Sequence, residues 1–234
     1  TLSGKTVAAY VNTHTDLSDE LYREGKLVSD NYKNILRSQT NAAAIPAEVT
    51  VRYGVTVRRA NLRNLPTGEG LFFYASDRNF DALQETALDP GEAVAILHTS
   101  TNGYFYYVQA YNYRGWLSKF DVAETDRSTW LRYAEPKNFL TVVAKDYTLK
   151  ADGAQVLFQQ GARLQLADKK ASAYTVKVPV RTKEGKLQEE KVVLAANASL
   201  HEGYLPYTTN NIIRSAFKFY DSVYGWGGLQ QSVD

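Results

Sequence analysis

Residues 49–63 read V-T-V-R-Y-G-V-T-V-R-R-A-N-L-R, and apolar and polar side chains alternate along much of this stretch. Successive side chains of a β-strand point to opposite faces of its sheet, so a period of two predicts strands with one buried face. The turn-forming segment Leu65-Pro66-Thr67-Gly68 then interrupts the pattern. The stretch therefore predicts the first strands of an antiparallel sheet.

Three further strands are predicted after this stretch, at 93–98, 104–110 and 115–117. Turns at Pro90-Gly91 and Asn102-Gly103 separate them. Short strands joined by glycine-containing turns, with no long helix between them, are typical of a small antiparallel barrel. Strand alternation also explains the many tyrosines of this region as a mixture of core and surface rings, rather than as a face that binds sugar or nucleic acid.

A second β-rich region is predicted after a charged connector at 127–136, which Trp130 is expected to anchor by packing. Its predicted strands lie at 139–143, 154–158, 163–166, 174–180 and 191–195, with turns at Asp152-Gly153, Gln160-Gly161 and Lys183-Glu184-Gly185. Strand length and spacing match the first region, although the two sequences show no clear repeat. An unrelated small all-β domain is the alternative interpretation of this region.

Helices are predicted near both ends of the chain. Near the N-terminus, Asp16 or Ser18 would cap a short helix that Gly25 interrupts, and a second helix would end near Arg37. The first of these helices would carry Leu17, Leu21 and Tyr22. Near the C-terminus, helical spacing relates Ile212, Ile213, Ala216, Phe217, Tyr220 and Val223, with Thr208, Thr209 or Asn210 as the N-cap. Three glycines at 225, 227 and 228 would end this last helix.

Composition and charge exclude several functional classes. Of the 234 residues, 44% are hydrophobic and 22% charged, as in ordinary globular proteins, and the net charge of +2 is too small to favour nucleic acid as a partner. The three histidines, His14, His98 and His201, lack the spacing of a metal site, and His98 is interpreted as a structural hydrogen-bonding residue. No metal or other cofactor is predicted, and no apolar run is long enough for a membrane span. The absence of cysteine excludes a thiolate nucleophile within these residues.

The C-terminal motifs carry a resemblance to a known family. They are Ile212-Ile213-Arg214-Ser215-Ala216-Phe217, Tyr224-Gly225-Trp226-Gly227-Gly228 and Val233-Asp234. Together they resemble the beginning of the catalytic domain of the NlpC family of papain-like cell-wall peptidases, where a cysteine at the start of a helix is the nucleophile. The resemblance implies that this cysteine would directly follow Asp234, that two histidines would lie further downstream, and that residues 1–234 themselves hold no catalytic group.

Motifs in the first β-rich region extend this resemblance. They are Asn61-Leu62-Arg63, Leu65-Pro66-Thr67, Phe80-Asp81, Leu83-Gln84-Glu85, Pro90-Gly91-Glu92, His98-Thr99-Ser100 and Gly115-Trp116. They are similar to the first bacterial SH3-like domain of the same peptidases. The implied fold is mainly β with flanking helices: a helical, stabilising N-terminal segment at 1–47, a first SH3-like barrel at 48–126, a linker and second SH3-like barrel at 127–206, and the first helix of a papain-like α+β catalytic domain at 207–234.

The resemblance also implies an activity and a set of substrate-binding residues. The reaction would be hydrolysis of the bond between γ-D-glutamate and an L-diamino acid in muropeptides that have a free N-terminal L-alanine. Tyr224, Trp226 and Asp234 would form part of the substrate cleft. An acidic residue from the segment 77–92, which would be a long loop of the first barrel, and a tyrosine near the Gly-Trp pair would hold the free amino end, because an ammonium group requires a carboxylate. The candidates are Glu85 and Tyr113, with Asp81, Glu92 and Tyr111 as rivals; the alternative is that all are solvated charges and surface rings.

The same resemblance implies an exported protein of the periplasm or cell envelope, with peptidoglycan stem peptides or muropeptides as its partners. A free-amine requirement would favour recycling or scavenging of released peptides over attack on intact wall. An export or lipoprotein signal would have preceded Thr1, which allows for a lipid anchor upstream. The competing hypothesis is a non-catalytic wall-binding or scaffolding protein whose SH3-like domains dock on peptidoglycan or on another protein.

Overall fold

The computed structural model describes residues 1–231, and the chain is mainly β with helices flanking its sheets, as the sequence predicts. Two antiparallel sheets, of seven and five strands, contain most of the strands. Within residues 1–231, no helix has both the length and the apolar character that crossing a membrane requires.

The N-terminal region supplies two helices and two short strand pairs. Strand β1 (Leu2–Ser3) pairs with β4 (Glu48–Val49), α1 spans Gly4–Val11, β2 (Tyr22–Arg23) pairs with β3 (Lys26–Leu27), and α2 spans Asp30–Gln39. Helix α2 is capped by Ser29, whose side chain accepts a hydrogen bond from the backbone N–H of Tyr32. Helix α1 buries Val7 and Val11 in a cluster with Tyr107 and Trp116. It therefore packs against the sheet that follows.

The first sheet contains β5 (Arg52–Thr56), β6 (Ala60–Arg63), β7 (Gln84–Leu88), β8 (Ala93–Thr99), β9 (Phe105–Gln109), β10 (Arg114–Ser118) and β11 (Val122–Thr125). Its strand order is β11-β5-β8-β9-β10-β6-β7. Alternation places Ile96, Val108 and Leu117 in one buried cluster, while Tyr107 and Trp116 join the cluster under α1. Both faces of the central strands are thus covered.

The second sheet follows helix α3 (Arg127–Ala134) and has the order β17-β16-β15-β12-β18. Its strands are β12 (Phe139–Val142), β15 (Arg163–Lys170), β16 (Ala173–Arg181), β17 (Leu187–Ala195) and β18 (Leu200–Glu202), and β13 (Asp146–Ala151) forms a separate hairpin with β14 (Ala154–Gln159). Phe158 of the hairpin is buried with Leu140, Leu164 and Val176 of the sheet. The hairpin therefore closes the core of this region.

The two predicted barrels are open sheets. Among the described residues, the terminal strands β11 and β7 do not pair with each other, and neither do β17 and β18. At the β7 end, the C-terminal segment Trp226–Gln231, a short 3-10 helix, contacts the strand. The edge of the first sheet is therefore covered by the chain's own C-terminal residues rather than by closure of the sheet.

The prediction of a short helix that begins at Asp16 or Ser18 is wrong. The Asp16 carboxylate accepts a hydrogen bond from the backbone N–H of Ser18 in a local turn, and Tyr22 exchanges two backbone hydrogen bonds with Phe72. Glu24 and Gly25 both adopt positive φ, 52° and 80°, which is the two-residue turn that a β-hairpin prefers. Tertiary pairing and this turn override the apolar spacing that favours a helix.

Three other segments differ from their predicted secondary structure in type or in extent. The connector at 127–136 is largely helix α3, capped by the Asp126 side chain, which accepts from the N–H of Thr129. Its predicted anchor is confirmed: Trp130 donates to the Val94 carbonyl at 3.1 Å and its ring lies 5.2 Å from that of Tyr53. The C-terminal helix α4 (Thr209–Phe217), capped by Thr208, ends before Tyr220 and Val223. The acidic segment predicted as a loop contains strand β7.

Candidate functional site

A pocket of about 440 Å³ opens where the end of α1 meets β7 and the β9–β10 hairpin. It is lined by Tyr10, Thr13, Asn64, Glu85, Tyr107, Gln109, Tyr111, Asn112, Tyr113, Arg114 and Gly115. Four separate parts of the sequence therefore meet here: the N-terminal helix, the loop after β6, strand β7 and the β9–β10 hairpin.

Glu85 and Tyr113, the acid and the tyrosine predicted to bind a free amino end, both line this pocket. Glu85 belongs to β7, and its Oε1 accepts a hydrogen bond of 3.1 Å from the Asn64 side-chain amide. Tyr113 is held at the end of the β9–β10 turn because its carbonyl accepts from the N–H of Ala110 and from the side chain of Gln109. The residue is 40% exposed and lines the pocket.

The three rival residues have different surroundings. Asp81 is buried: one of its oxygens lies 2.8 Å from the Arg63 guanidinium, and the other accepts from two backbone N–H groups. Glu92 lies 3.7 Å from Arg163 at the junction of the two sheets, and burial raises the pKa of its carboxyl. Tyr111 lines the pocket with Tyr113 but is 95% exposed. Of the acidic candidates, Glu85 alone lines this pocket.

The inner wall of the pocket is formed by Tyr107, Tyr10 and Arg114. The Tyr107 hydroxyl donates to the Tyr10 carbonyl at 3.0 Å, and the Arg114 guanidinium lies 3.8 Å from the centre of the Tyr10 ring. Burial raises the pKa of Tyr107 to about 12, with Arg114 opposing the shift and Glu85 adding to it. Tyr107 is therefore a neutral hydrogen-bond donor near neutral pH.

Of the predicted cleft residues, Trp226 lies against the strand that carries Glu85, and Tyr224 packs against Phe80, which precedes that strand. The Trp226 indole donates to the Gln84 carbonyl at 2.9 Å, and its backbone N–H donates to the Asn79 carbonyl at 3.0 Å. The Phe80 ring lies 5.3 Å from the ring of Tyr224 and 6.1 Å from that of Trp226. All three residues are 41–48% exposed, so together they form an open aromatic wall. Asp234, the third predicted cleft residue, lies outside the described residues.

Gln84 fixes the position of this C-terminal segment from inside the sheet. Its side chain is 1% exposed, and its amide nitrogen lies 3.1 Å from the Gly227 carbonyl. Its side-chain oxygen accepts from Arg63, which is held in turn by Asp81. Gln84 thus bonds the C-terminal segment with both its side chain and its backbone carbonyl, while the next residue, Glu85, points into the pocket.

The three histidines do not lie together in one site. His98 donates through Nε2 to the Asn41 carbonyl at 3.0 Å, and burial lowers its pKa. His14 and His201 each face a backbone carbonyl of their own segment. Across residues 1–231, no three His, Asp or Glu side chains are grouped so as to hold a metal ion.

Sequence reasoning missed Tyr10, Asn64 and Arg114 as pocket residues. Arg114 stands directly between Tyr113 and the Gly115-Trp116 pair. Its position next to a candidate binding residue is the sequence signal that could have identified it as a pocket residue. Tyr10 and Asn64 reach the pocket through tertiary packing of α1 and of the loop after β6, which no local pattern indicates.

Comparisons with known proteins agree with this fold. Residues 71–118 match the family model of the SH3 domain of SH3b1 type, a span that includes Glu85, Tyr113 and Arg114. A solved structure described as a novel NlpC/P60 endopeptidase from Photobacterium damselae subsp. piscicida superposes with a TM-score of 0.69 at 21% sequence identity. The match covers 99% of this chain and 50% of that one, so this chain spans about half the length of the similar structure. No curated protein sequence matches significantly.

Proposed function

We propose that this chain forms the accessory domains and part of the substrate cleft of a cell-wall cysteine endopeptidase of the NlpC type. The proposed reaction is cleavage between γ-D-glutamate and an L-diamino acid in muropeptides with a free N-terminal L-alanine. The SH3b1-type match and the shared fold support the class of protein. The observation that carries the proposal is that Glu85 and Tyr113 line one pocket, with Glu85 on the strand whose Gln84 carbonyl accepts a hydrogen bond from the Trp226 indole.

The chemistry of the pocket suits an ammonium group. Glu85 receives one hydrogen bond from Asn64 and takes part in no ion pair within residues 1–231, so its carboxylate has acceptor capacity left. Tyr113 lines the same pocket, and its hydroxyl can accept a second ammonium hydrogen. N-acetylation would remove the charge and add bulk, so the pocket would select peptides with a free amino end.

The aromatic wall of Phe80, Tyr224 and Trp226 would flank the peptide between this pocket and the reacting bond. The cysteine expected after Asp234 would be the nucleophile, with a downstream histidine as its base. The pocket and the aromatic wall would then determine which peptides reach the thiolate. Selection for free amino ends would favour recycling or scavenging of released muropeptides. The likeness to SH3b1-type and NlpC/P60 proteins supports an exported protein of the periplasm or cell envelope.

The proposal is tested with the full-length protein that contains this chain. Hydrolysis of L-Ala-γ-D-Glu-L-diamino acid peptides would be measured with free and N-acetylated substrates. Glu85→Ala is expected to raise KM for the free-amine peptide by about 10-fold or more, because a charge-assisted hydrogen bond contributes about 1.5–3 kcal/mol. KM for the N-acetylated peptide should change little.

Equal effects of Glu85→Ala on both substrates would remove Glu85 from the proposed role. Hydrolysis that requires no cysteine would exclude the NlpC-type mechanism. Absence of hydrolysis combined with retention on insoluble peptidoglycan would instead favour the non-catalytic wall-binding protein.

A further inference from the structure

The pocket beside Glu85 contains a second, opposite charge. Glu85 and Arg114 both line it, yet the ion pairs formed within residues 1–231 include neither of them. The two groups are therefore more than 4.0 Å apart, since a closer approach would make them an ion pair. A carboxylate and a guanidinium that share a pocket without contact leave both charges to a ligand.

The surroundings of Arg114 favour a carboxylate as its partner. Its guanidinium lies 3.8 Å from the centre of the Tyr10 ring, and stacking on a ring uses the flat face of the group. The N–H groups at its edge remain available, and their fork matches a carboxylate in geometry as well as in charge. Tyr10 thus positions Arg114 from the end of helix α1.

Tyr107 lies within the fields of both charges. Burial raises the pKa of its phenol, Arg114 opposes the shift and Glu85 adds to it, and the hydroxyl donates to the Tyr10 carbonyl. The phenol therefore stays neutral and offers no third charge. The pocket presents one anion and one cation, which is the complement of a zwitterion.

We propose that this pocket binds a zwitterionic peptide end, with the ligand ammonium at Glu85 and a ligand carboxylate at Arg114. Assigning that carboxylate to the α-carboxylate of γ-linked D-glutamate rests on the proposed function. In that substrate, glutamate follows the N-terminal alanine and continues through its side chain, so its α-carboxylate remains free. Arg114 would then distinguish D-glutamate from its α-amide, D-isoglutamine.

The test measures binding to this chain by isothermal titration calorimetry and requires no catalysis. Three probes are compared: L-Ala-γ-D-Glu-L-Lys, its N-acetyl form and its D-isoglutamine form. For the wild-type chain, the first probe should bind about 10-fold or more tightly than either of the others, because each alteration removes one charge-assisted hydrogen bond. Arg114→Gln should abolish the preference for glutamate over isoglutamine and retain the preference for the free amine. Glu85→Gln should do the reverse.

Arg23→Gln is the matched control, because Arg23 also lies over a tyrosine ring, that of Tyr32, at 4.7 Å but outside this pocket. It should leave all three affinities unchanged. Thermal unfolding would identify an Arg114→Gln chain that has lost the packing of α1, and Arg114→Lys then supplies a variant that retains the charge but not the fork. Arg114→Lys should reduce the preference for glutamate without abolishing it.

The outcomes separate this inference from the proposed function. An unchanged preference for glutamate in the folded Arg114→Gln and Arg114→Lys chains would overturn the role of Arg114, even if the full-length protein hydrolyses the peptide. If the Arg114 variants lose the preference for glutamate but the full-length protein hydrolyses no peptide, the zwitterion site is supported and the enzymatic proposal is rejected. Failure of all three probes to bind the wild-type chain would overturn the inference.

Discussion

Gly227 shows how strongly a single residue constrains the candidate cleft. Its φ is +59°, and a Cβ at this position would lie 2.8 Å from Cγ of Gln84 and 3.0 Å from the Glu85 carbonyl oxygen. An L side chain would therefore be strained by its backbone and would also collide with the backbone of β7. The close approach of the C-terminal segment to the strand depends on glycine here.

Gly227→Ala is expected to displace Trp226 from β7. The Trp226 indole N–H, now bonded to the Gln84 carbonyl, should exchange with solvent faster, as measured by NMR of the indole protons. Gly203→Ala is the control, because Gly203 has a similar φ of +66° but an added Cβ would meet no atom within 4 Å. If both variants left the Trp226 exchange rate unchanged, the glycine contact would not be what holds the segment.

At the same scale, the sequence motifs single out Glu85 and Tyr113, which line one pocket, but not Tyr10 or Asn64, which line it with them. Glu85 and Tyr113 lie in motifs, beside Leu83-Gln84 and before Gly115-Trp116, that resemble a known family. Asn64 and Tyr10 carry no such motif, and their roles arise from contacts with residues distant in sequence, such as Asn64 with Glu85. Local patterns identify residue types, whereas the contacts that complete a pocket depend on how separate elements pack.

Strand β7 is the element that joins the pocket to the C-terminal segment. Its first residue, Gln84, is buried, and its side-chain nitrogen lies within 3.1 Å of Asn61, Thr86 and Gly227 oxygens. Its second residue, Glu85, lines the pocket. Because neighbouring side chains of a strand point to opposite sides, one strand serves both structures.

Gln84→Ala is expected to lower the free energy of unfolding by about 2 kcal/mol, because it leaves the buried Arg63 and the Gly227 carbonyl without their shared partner. Urea unfolding measures this change, and Gln155→Ala, at an exposed position of β14, is the control, with an expected change within about 0.5 kcal/mol. A loss for Gln84→Ala no larger than that of the control would show that the amide network contributes little.

The errors at the level of elements have a common physical origin. The residues around Leu17 and Leu21 have helix-like spacing, yet both side chains are buried in a cluster with Leu65, Leu71 and Leu83 from the distant loop. Tertiary burial satisfies their apolar character without a helix. Strand β7 was not predicted because its residues Gln84, Glu85 and Thr86 are polar, which is typical of a loop. Backbone pairing with β6 makes this segment a strand despite its polar sequence.

At the scale of the whole molecule, α3 and the segment before β8 join the two sheets. Trp130 bonds to Val94 of the first sheet, while Tyr133 donates to Glu189 of the second. Asp89 accepts from the backbone N–H of Gln159, and Glu92 faces Arg163. Alternating patterns predicted two β-rich regions, but their mutual packing depends on these long-range polar contacts, which no pattern in either region indicates.

This junction predicts a specific pH dependence of stability. Burial raises the pKa of the Glu92 carboxyl, the Arg163 guanidinium opposes the shift, and the nearby Asp89 adds to it. Between the ordinary pKa and the raised one, the folded chain binds more protons at Glu92 than the unfolded chain does. The contribution of this group to stability therefore falls as the pH rises through that interval.

Glu92→Gln removes this titration, so the wild-type chain should lose stability relative to Glu92→Gln as the pH is raised above about 4. Urea unfolding of both chains at several pH values measures the difference. Glu184→Gln is the control with the opposite pH dependence, because a backbone hydrogen bond, aided by the Thr182 side chain, lowers the pKa of Glu184. At this position the wild-type chain should lose stability relative to the variant as the pH falls. A pH-independent difference for Glu92→Gln would show that the junction does not bury this charge in solution, and that the two sheets pack less closely there than the structure indicates.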